Sequence, residues 1–158
     1  MTAAEFLVEE AGPADLPAIA HLFGELARHH GRIQPDNPRY GVPSTRWREL
    51  AERALEDPDE EVLVARSDNK IVGFVRFLYR EKPWGSSCEI ETLVVDEHWR
   101  GVGVGTRLLE ATEEAAIVKG ARGMRADILV GNDEGAAFWE AQGYKGFALR
   151  FGKALGED

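Results

Sequence analysis

Seven residues near the middle of the chain, 100–106, combine one arginine with three glycines at alternate positions. They lie between an apolar run, Leu93-Val94-Val95, and a sequence with helical periodicity that starts at Arg107. Glycines let a backbone bend tightly and approach a ligand closely. The first N–H groups of the following helix have no partner within that helix and lie at its partly positive end. The stretch therefore predicts a binding site for a phosphate or diphosphate.

The spacing of these glycines excludes two better-known phosphate loops. A Walker loop needs a lysine and then a serine or threonine after its last glycine, whereas Thr106 and Arg107 follow here. The dinucleotide fingerprint needs Gly-x-Gly-x-x-Gly, whereas the third glycine of this chain comes one residue early. The pattern that remains is Arg-x-x-Gly-x-Gly, formed by Arg100, Gly103 and Gly105.

This pattern, preceded by Glu-Thr-Leu-Val-Val-Asp at 91–96, resembles the coenzyme-binding motif of the GNAT superfamily of N-acetyltransferases. A second match follows at the right distance, formed by Asn132, Ala136, Phe138-Trp139 and Gly143-Tyr144. The resemblance covers about residues 5–155 and is specific from Glu89 to Tyr144. It implies a single N-acetyltransferase domain over residues 1–158, a length that suits one domain.

The resemblance also implies acetyl-coenzyme A as the co-substrate, held mainly by backbone groups. The glycine loop would bind the diphosphate, and the strand before it would pair with the pantetheine arm. Asn132 would cap the helix that follows it and contact the coenzyme, while Trp139 would pack either on the pantetheine or in the core. The cofactor-binding residues implied are Leu93, Val94, Val95, Arg100, Gly101, Val102, Gly103, Val104, Gly105, Thr106, Asn132 and Trp139.

Acetyl transfer to an amine needs a base, a donor to the developing oxyanion and a proton for the departing thiolate. Glu91 lies nine residues before Arg100, the separation at which diamine acetyltransferases of this superfamily carry their base. The other interpretation of Glu91 is a strand glutamate that faces solvent. The tyrosine that many family members use as the acid is replaced by Trp139, whose indole does not release a proton at useful pH. Water or another group, with Tyr144 nearest in sequence, would then supply the proton.

Composition limits the classes of partner. The net charge of −9 argues against nucleic acid, whose phosphates need a basic surface. The sequence contains no run of 18 apolar residues, so we expect no membrane-spanning helix. One cysteine, Cys88, excludes an internal disulfide and suits a reducing cytoplasm. No Cys/His spacing predicts a metal site. We expect a small-molecule amine as substrate and, from the frequency of subunit pairing in the superfamily, a homodimer.

Hydrophobic periodicity predicts one strand, two helices, three antiparallel strands, a helix, a strand, a helix and a final strand at Phe147–Lys153. This order favours an α/β fold, a GNAT-like central mixed, mostly antiparallel sheet of six to seven strands flanked on both faces by about four helices. The proline-containing stretch 32–43 is predicted to be a long loop that forms a lid or substrate wall. Four residues are weaker candidates for the acceptor pocket: His30, Tyr40, Trp47 and Trp84.

Two functional hypotheses follow. The first is an enzyme that moves acetyl from acetyl-CoA to a primary amine by direct transfer in a ternary complex, since Cys88 is poorly placed as an acyl carrier. The second is a non-catalytic sensor or interaction module that binds acyl-CoA on the same fold. Trp139 favours the second hypothesis and Glu91 the first.

Overall fold

The computed structural model describes residues 5–156 and contains a mixed sheet of five strands in the order β1-β2-β3-β4-β5. The first four strands pair antiparallel, and β5 runs parallel to β4. This arrangement confirms the mixed, mostly antiparallel sheet expected from the sequence. The strands are β1 (Leu7–Glu10), β2 (Glu60–Ser67), β3 (Lys70–Lys82), β4 (Gly85–Val95) and β5 (Gly123–Ala126).

Four helices cover the two faces of the sheet, and each face has its own apolar core. One core joins α1 and α2 to the sheet through Ile19, Phe23, Ala51 and Phe74. The other joins α3 to the sheet through Leu108, Leu109, Val75 and Phe77, with the aromatic residues of α4 packed against it. The helices are α1 (Leu16–Ile33), α2 (Thr45–Glu56), α3 (Val104–Val118) and α4 (Asp133–Ala141), and short 3-10 turns span Pro13–Asp15, Pro38–Tyr40 and Glu97–Trp99.

The composition of the central strand β3 explains why helices cover both faces of the sheet. Val72, Phe74, Val75 and Phe77 are each 0% exposed, so side chains on both faces of this strand are buried. Apolar runs of this kind are typical of strands covered on both sides. Within residues 5–156, no helix is both long enough and apolar enough to cross a bilayer.

The prediction of a final strand at Phe147–Lys153 was wrong. Residues 145–156 form no strand, and β5 ends at Ala126 although the sequence favours a strand up to Val130. The sheet of residues 5–156 therefore has five strands and not six or seven. Apolar alternation favours an extended backbone, but a strand also needs a neighbouring edge and a surface that covers its side chains. Phe147 and Phe151, at 92% and 90% exposed, contact no such surface.

Candidate active site

Strand β4 loses its regular pairing on both sides at Glu91. Towards β5, the last paired residues are Ile90 and Ala126. Towards β3, Phe77 pairs with Ile90 while Arg76 pairs with Thr92, so Glu91 is the extra residue of a bulge. A bulge re-aims the side chain that it carries. Glu91 is accordingly exposed, although the residues on either side of it are buried.

After the bulge and Thr92, the next three residues of β4 remain paired with β3 but no longer pair with β5. Leu93, Val94 and Val95 pair with Val75, Phe74 and Gly73, beyond the point where the parallel pairing ends. Their side chains pack into the two cores, so only backbone groups face the gap between β4 and the chain after β5. An open strand edge of this kind can pair with an extended ligand as an added strand would.

The end of α1 lies beside this gap. The Gln34 side-chain amide donates to the carbonyl oxygen of Val130 at 2.9 Å. A side chain at Gly131 would meet Ile33 at 3.1 Å, and Gly131 has a φ of +96°. The start of the long loop predicted at 32–43 therefore contacts the chain just after β5, which is consistent with a wall of the site.

Three of the four weaker candidates for the acceptor pocket lie together, and the fourth is apart from them. Tyr40 and Trp47 line a cavity of about 480 Å³ between α1 and α2, and the ring of His30 lies 5.4 Å from that of Tyr40. Trp84 lies elsewhere, against Gly123 at the start of β5. Burial, with His29 and Arg39 nearby, lowers the pKa of His30 to about 4, so this imidazole is neutral at neutral pH.

The glycine loop leads from β4 into α3 through a capped 3-10 turn, in which Asp96 Oδ1 accepts from the N–H of His98 at 2.9 Å. Gly101 and Gly103 have φ values of +78° and +92°, and a Cβ at either would meet nothing within 4 Å. Their role is thus to allow a left-handed backbone that faces open space. The helix begins at Val104, so the amides of its first turn point towards the loop.

The third glycine has a different role, because it allows α4 to pack on the first turn of α3. A Cβ at Gly105 would lie 3.4 Å from the ring of Phe138. Beside it, Thr106 Oγ1 accepts from Gln142 Nε2 at 3.1 Å. At the other end of α4, Asn132 Oδ1 caps the helix by accepting from the N–H of Gly135 at 3.0 Å. The two matching blocks of sequence are therefore joined in space.

Trp139 and Tyr144 are neighbours in an aromatic cluster on the α3 side of the sheet. Their rings meet edge to face at 4.9 Å, and Phe138 lies 5.5 Å from Trp139. The hydroxyl of Tyr144 donates to Glu113 Oε2 on α3 at 3.1 Å. Burial raises the pKa of Tyr144, and the negative charge of Glu113 raises it further. The phenol thus keeps its proton at neutral pH; the roles of both residues towards the coenzyme and the thiolate stay predictions.

The single thiol is inaccessible. Cys88 is 0% exposed, and burial, with Glu61 and Glu89 nearby, raises its pKa to about 12. A thiol that is both buried and protonated is a poor nucleophile.

Glu91 opens into a second cavity, of about 690 Å³, whose lining includes Arg76, Leu78, Tyr79 and the loop before β2. Sequence reasoning missed the ion pair beneath this cavity, in which Arg76 Nη1 lies 2.8 Å from Glu60 Oε1. A charged residue inside the apolar run 72–78 was the available signal. Within the part of the chain that the structure describes, no three His, Cys, Asp or Glu side chains form a group able to hold a metal ion.

Comparison with known proteins agrees with this geometry. The model of the acetyltransferase (GNAT) family matches residues 25–144. A variant of the BH1408 protein from Bacillus halodurans is 21% identical, with a TM-score of 0.80 over 94% of this chain and 99% of that one. A transcriptional regulator from the same species is 19% identical, with a TM-score of 0.78 over 96% and 100%. The aminoglycoside N-acetyltransferase AAC(6')-Iy in complex with CoA is 17% identical, with a TM-score of 0.76 over 98% and 97%.

At these identities the solved structures establish the fold alone, whereas the family model spans most of the chain, including the bulge, the glycine loop and the cap of α4. The chain belongs to the GNAT acetyltransferase family.

Proposed function

We propose that this protein transfers the acetyl group of acetyl-CoA directly to a primary amine of a small molecule. One observation carries the proposal: Glu91 is the bulged residue at the point where β4 separates from β5, and the same strand leads into the glycine loop of α3. A carboxylate, an open strand edge and a helix N-terminus therefore succeed one another along one segment of chain.

The residues present fit the coenzyme. Gly101 and Gly103 leave open space where side chains would stand, so a diphosphate can approach the first amides of α3. Arg100 is exposed beside them and can donate to a phosphate oxygen. The backbone of Leu93, Val94 and Val95 would pair with the pantetheine arm, and Asn132 and Trp139 on the opposite side would border it. Bound there, the coenzyme supplies an activated acetyl thioester.

Glu91 is proposed as the general base. It would take a proton from the amine, directly or through water, and free the nitrogen lone pair. The nitrogen then bonds to the acetyl carbon and turns its carbonyl into an oxyanion, whose collapse breaks the bond from that carbon to sulfur. The second proton of the nitrogen passes to solvent water, which leaves a neutral amide. A backbone N–H among residues 93–95 would donate to the oxyanion that forms in between. The cavity beside Glu91 gives the amine a route to this carboxylate.

The departing thiolate needs a proton, for which Tyr144 is the proposed donor and water the alternative. Tyr144 holds its proton, but its hydroxyl already donates to Glu113. Acting as the acid requires this bond to be exchanged for one to sulfur. Trp139 occupies the position where many family members place their tyrosine and has no proton to release.

Direct transfer is favoured over an acyl-enzyme because Cys88 is buried and protonated. A single buried thiol also fits a cytoplasmic protein. Among the neighbours, AAC(6')-Iy is named an aminoglycoside N-acetyltransferase, and an amine acceptor is proposed here by analogy.

The test is to incubate the full chain with acetyl-CoA and a panel of a polyamine, an aminoglycoside, an amino acid and a peptide with a free N-terminus, and to measure released thiol. We expect release that depends on one class of amine. Thermal stabilisation by the coenzyme without thiol release from any amine would favour the alternative, a non-catalytic acyl-CoA sensor. Calorimetry that detected no uptake of acetyl-CoA by folded protein would overturn both.

A further inference from the structure

The cavity of about 480 Å³ between α1 and the first turn of α2 has a lining of unusual charge for this chain. Its volume is that of a pocket for a small molecule, which is roughly 300–1,000 Å³. The lining contains two arginines and no acidic residue, although acidic residues outnumber basic ones by 28 to 19 in the whole chain. It consists of Gly24, Ala27, Arg28, Gly31 and Arg32 of α1, followed by Tyr40, Val42, Ser44 and Trp47.

Small residues of α1 leave the space for this cavity. Gly24, Ala27 and Gly31 recur at helical spacing and therefore share one side of the helix. A Cβ at Gly24 would lie 3.3 Å from Arg28 Nη1. The guanidinium of Arg28 thus folds back by one turn over the position where a larger residue would place its side chain.

The two arginines of the cavity have no acidic partner. Arg28 and Arg32 are four residues apart on α1, so their side chains emerge on neighbouring turns of one face. Neither forms an ion pair with any of residues 5–156. Glu25, one turn before Arg28, pairs instead with His21 at 3.0 Å. Two guanidinium groups are therefore available to donate to one anionic group.

Aromatic side chains provide the apolar wall of the cavity. Tyr40 and Trp47 are both half-buried, and rings of this kind can cover a planar or apolar body. Beside them, the hydroxyl of Ser44 makes no capping hydrogen bond to α2, so it is a further donor that faces the cavity. Cationic donors next to aromatic walls suit a molecule that has an acid group on an apolar body.

The cavity is separate from the proposed catalytic site. Ile33, which approaches Gly131 beside the open edge of β4, comes nine residues after Gly24. At about 100° per residue, it lies on the opposite side of α1. The cavity beside Glu91 is lined by Asp57 at the other end of α2, a distance of about 18 Å along this helix. The two cavities share no lining residue, so one small molecule does not fill both.

We propose that the cavity between α1 and α2 is a second binding site, which takes a small organic acid, that is, a carboxylate or phosphate group on an apolar or aromatic body. Arg28 and Arg32 donate to the acid group, while Tyr40 and Trp47 pack against the body. Side chains carry the positive charge here, whereas backbone amides do so at the glycine loop. The site does not depend on acetyl transfer.

Binding to the full chain without coenzyme is the first test, followed by calorimetry and tryptophan fluorescence. The probes are benzoate and phenyl phosphate, which distinguish a carboxylate from a phosphate, and benzyl alcohol as the neutral analogue. We expect one of the anions to bind at one site per chain and to quench fluorescence, and the alcohol to bind at least about tenfold more weakly. No saturable binding of either anion, or equal binding of the alcohol, would overturn the proposal.

A tryptophan variant locates the bound anion. Trp47→Phe should remove the quenching, because the other tryptophans of the chain lie outside this cavity. Quenching that persisted in this variant would place the anion elsewhere and contradict the proposal.

Replacing the arginines tests their role against that of overall charge. Arg28→Gln/Arg32→Gln should weaken binding of the anion at least about tenfold, and its circular dichroism should match that of the parent because both side chains are exposed. Arg48→Gln/Arg53→Gln is the matched control, since it removes the same charge from exposed positions of α2 outside the cavity. Equal losses of affinity in the two double variants would show that only net charge matters, and the proposal would be wrong.

Competition separates this site from the two sites of the proposed reaction. The affinity for the anion should be the same with and without saturating acetyl-CoA, and displacement by the coenzyme would assign the anion to the glycine loop. In the acetylation assay, the anion should not compete with the amine, since competition would make the cavity part of the acceptor site. Either form of competition would refute a second site, whereas absence of acetyl transfer would leave the binding measurements unaffected.

Discussion

Arg76 and Glu60 form an ion pair of 2.8 Å whose side chains are only 9% and 10% exposed. Arg76 Nε also lies 3.4 Å from Thr92 Oγ1, and its guanidinium carbon lies 5.6 Å from the ring centre of Phe23. One side chain thus joins α1, β2, β3 and the first residue after the bulge. The arrangement holds Thr92 against β3 and thereby determines where Glu91 emerges.

Removing the arginine should therefore affect both stability and turnover. Arg76→Met leaves the Glu60 carboxylate buried without its cation, for which we expect a loss of about 3–5 kcal/mol in the free energy of unfolding. The double variant Arg76→Met/Glu60→Leu should recover most of this loss, since no charge is then stranded. Urea denaturation measures both.

Arg46→Met is the control for the pair of Arg76 and Glu60, because Arg46 and Glu49 form an ion pair whose side chains are 64% and 49% exposed. It should cost less than about 1 kcal/mol. In the double variant Arg76→Met/Glu60→Leu, kcat should fall because the bulge that carries Glu91 loses its contact with Arg76. KM for acetyl-CoA should stay constant, because the glycine loop is unchanged. Equal losses of stability for Arg46→Met and Arg76→Met would contradict this account.

Replacing the proposed base should slow the chemical step. Glu91→Gln keeps the size and the exposed position of the side chain but cannot accept a proton, so we expect turnover to fall at least about tenfold. The affinity for acetyl-CoA, measured by calorimetry, should change little. Glu81→Gln, an exposed glutamate of β3, is the matched control and should keep full activity. Unchanged turnover of Glu91→Gln across pH would remove this residue from the mechanism.

Replacing two glycines one at a time distinguishes a loss of coenzyme binding from the effect of backbone strain. Gly103 and Gly120 have φ values of +92° and +79°, and a Cβ at either would meet nothing within 4 Å. Replacement by alanine should cost each about 1–2 kcal/mol of stability. Only Gly103→Ala should also weaken the binding of acetyl-CoA, by at least about tenfold, because only that added Cβ lies in the glycine loop. Similar coenzyme affinities for the two variants in calorimetry would argue against the loop as the diphosphate site.

The source of the thiolate's proton can be decided at Tyr144. If the phenol supplies it, Tyr144→Phe lowers kcat at least about tenfold and leaves KM for acetyl-CoA unchanged. The variant also loses the hydrogen bond to Glu113, which should cost about 1–2 kcal/mol of stability. Steady-state kinetics at a temperature where both proteins are folded makes the comparison. An unchanged kcat would assign the proton to water.

Acid should destabilise the protein through His30. Its pKa is lowered from 6.5 to about 4, first by burial and then by His29 and Arg39. Since the folded state disfavours the charged imidazole, this stability is present above pH 6.5 and is lost as the pH falls towards 4. His30→Gln should therefore show a smaller drop in Tm between pH 7 and pH 5 than the parent. His21→Gln, whose side chain is 66% exposed, should behave as the parent does; equal drops in all three proteins would refute the assignment.

Much of the candidate site could be predicted because its signals are local. Two of its features depend on residues only a few positions away in the chain: the glycine loop with the helix after it, and the helix cap. The residue types at Arg100, Gly103, Gly105 and Asn132 show what backbone each position requires. The mixed sheet with helices on both faces likewise follows from apolar periodicity.

Tertiary packing decided the rest. The pairing of Arg76 with Glu60 and the hydrogen bond from Tyr144 to Glu113 join side chains 16 and 31 residues apart, which no local pattern specifies. Residues 145–156 are the clearest case, since Phe147, Leu149 and Phe151 have the alternation of a strand. Alternation determines only that the backbone prefers to be extended. Whether a strand forms depends on an available strand edge and on a surface that covers its side chains, and only the tertiary structure supplies these.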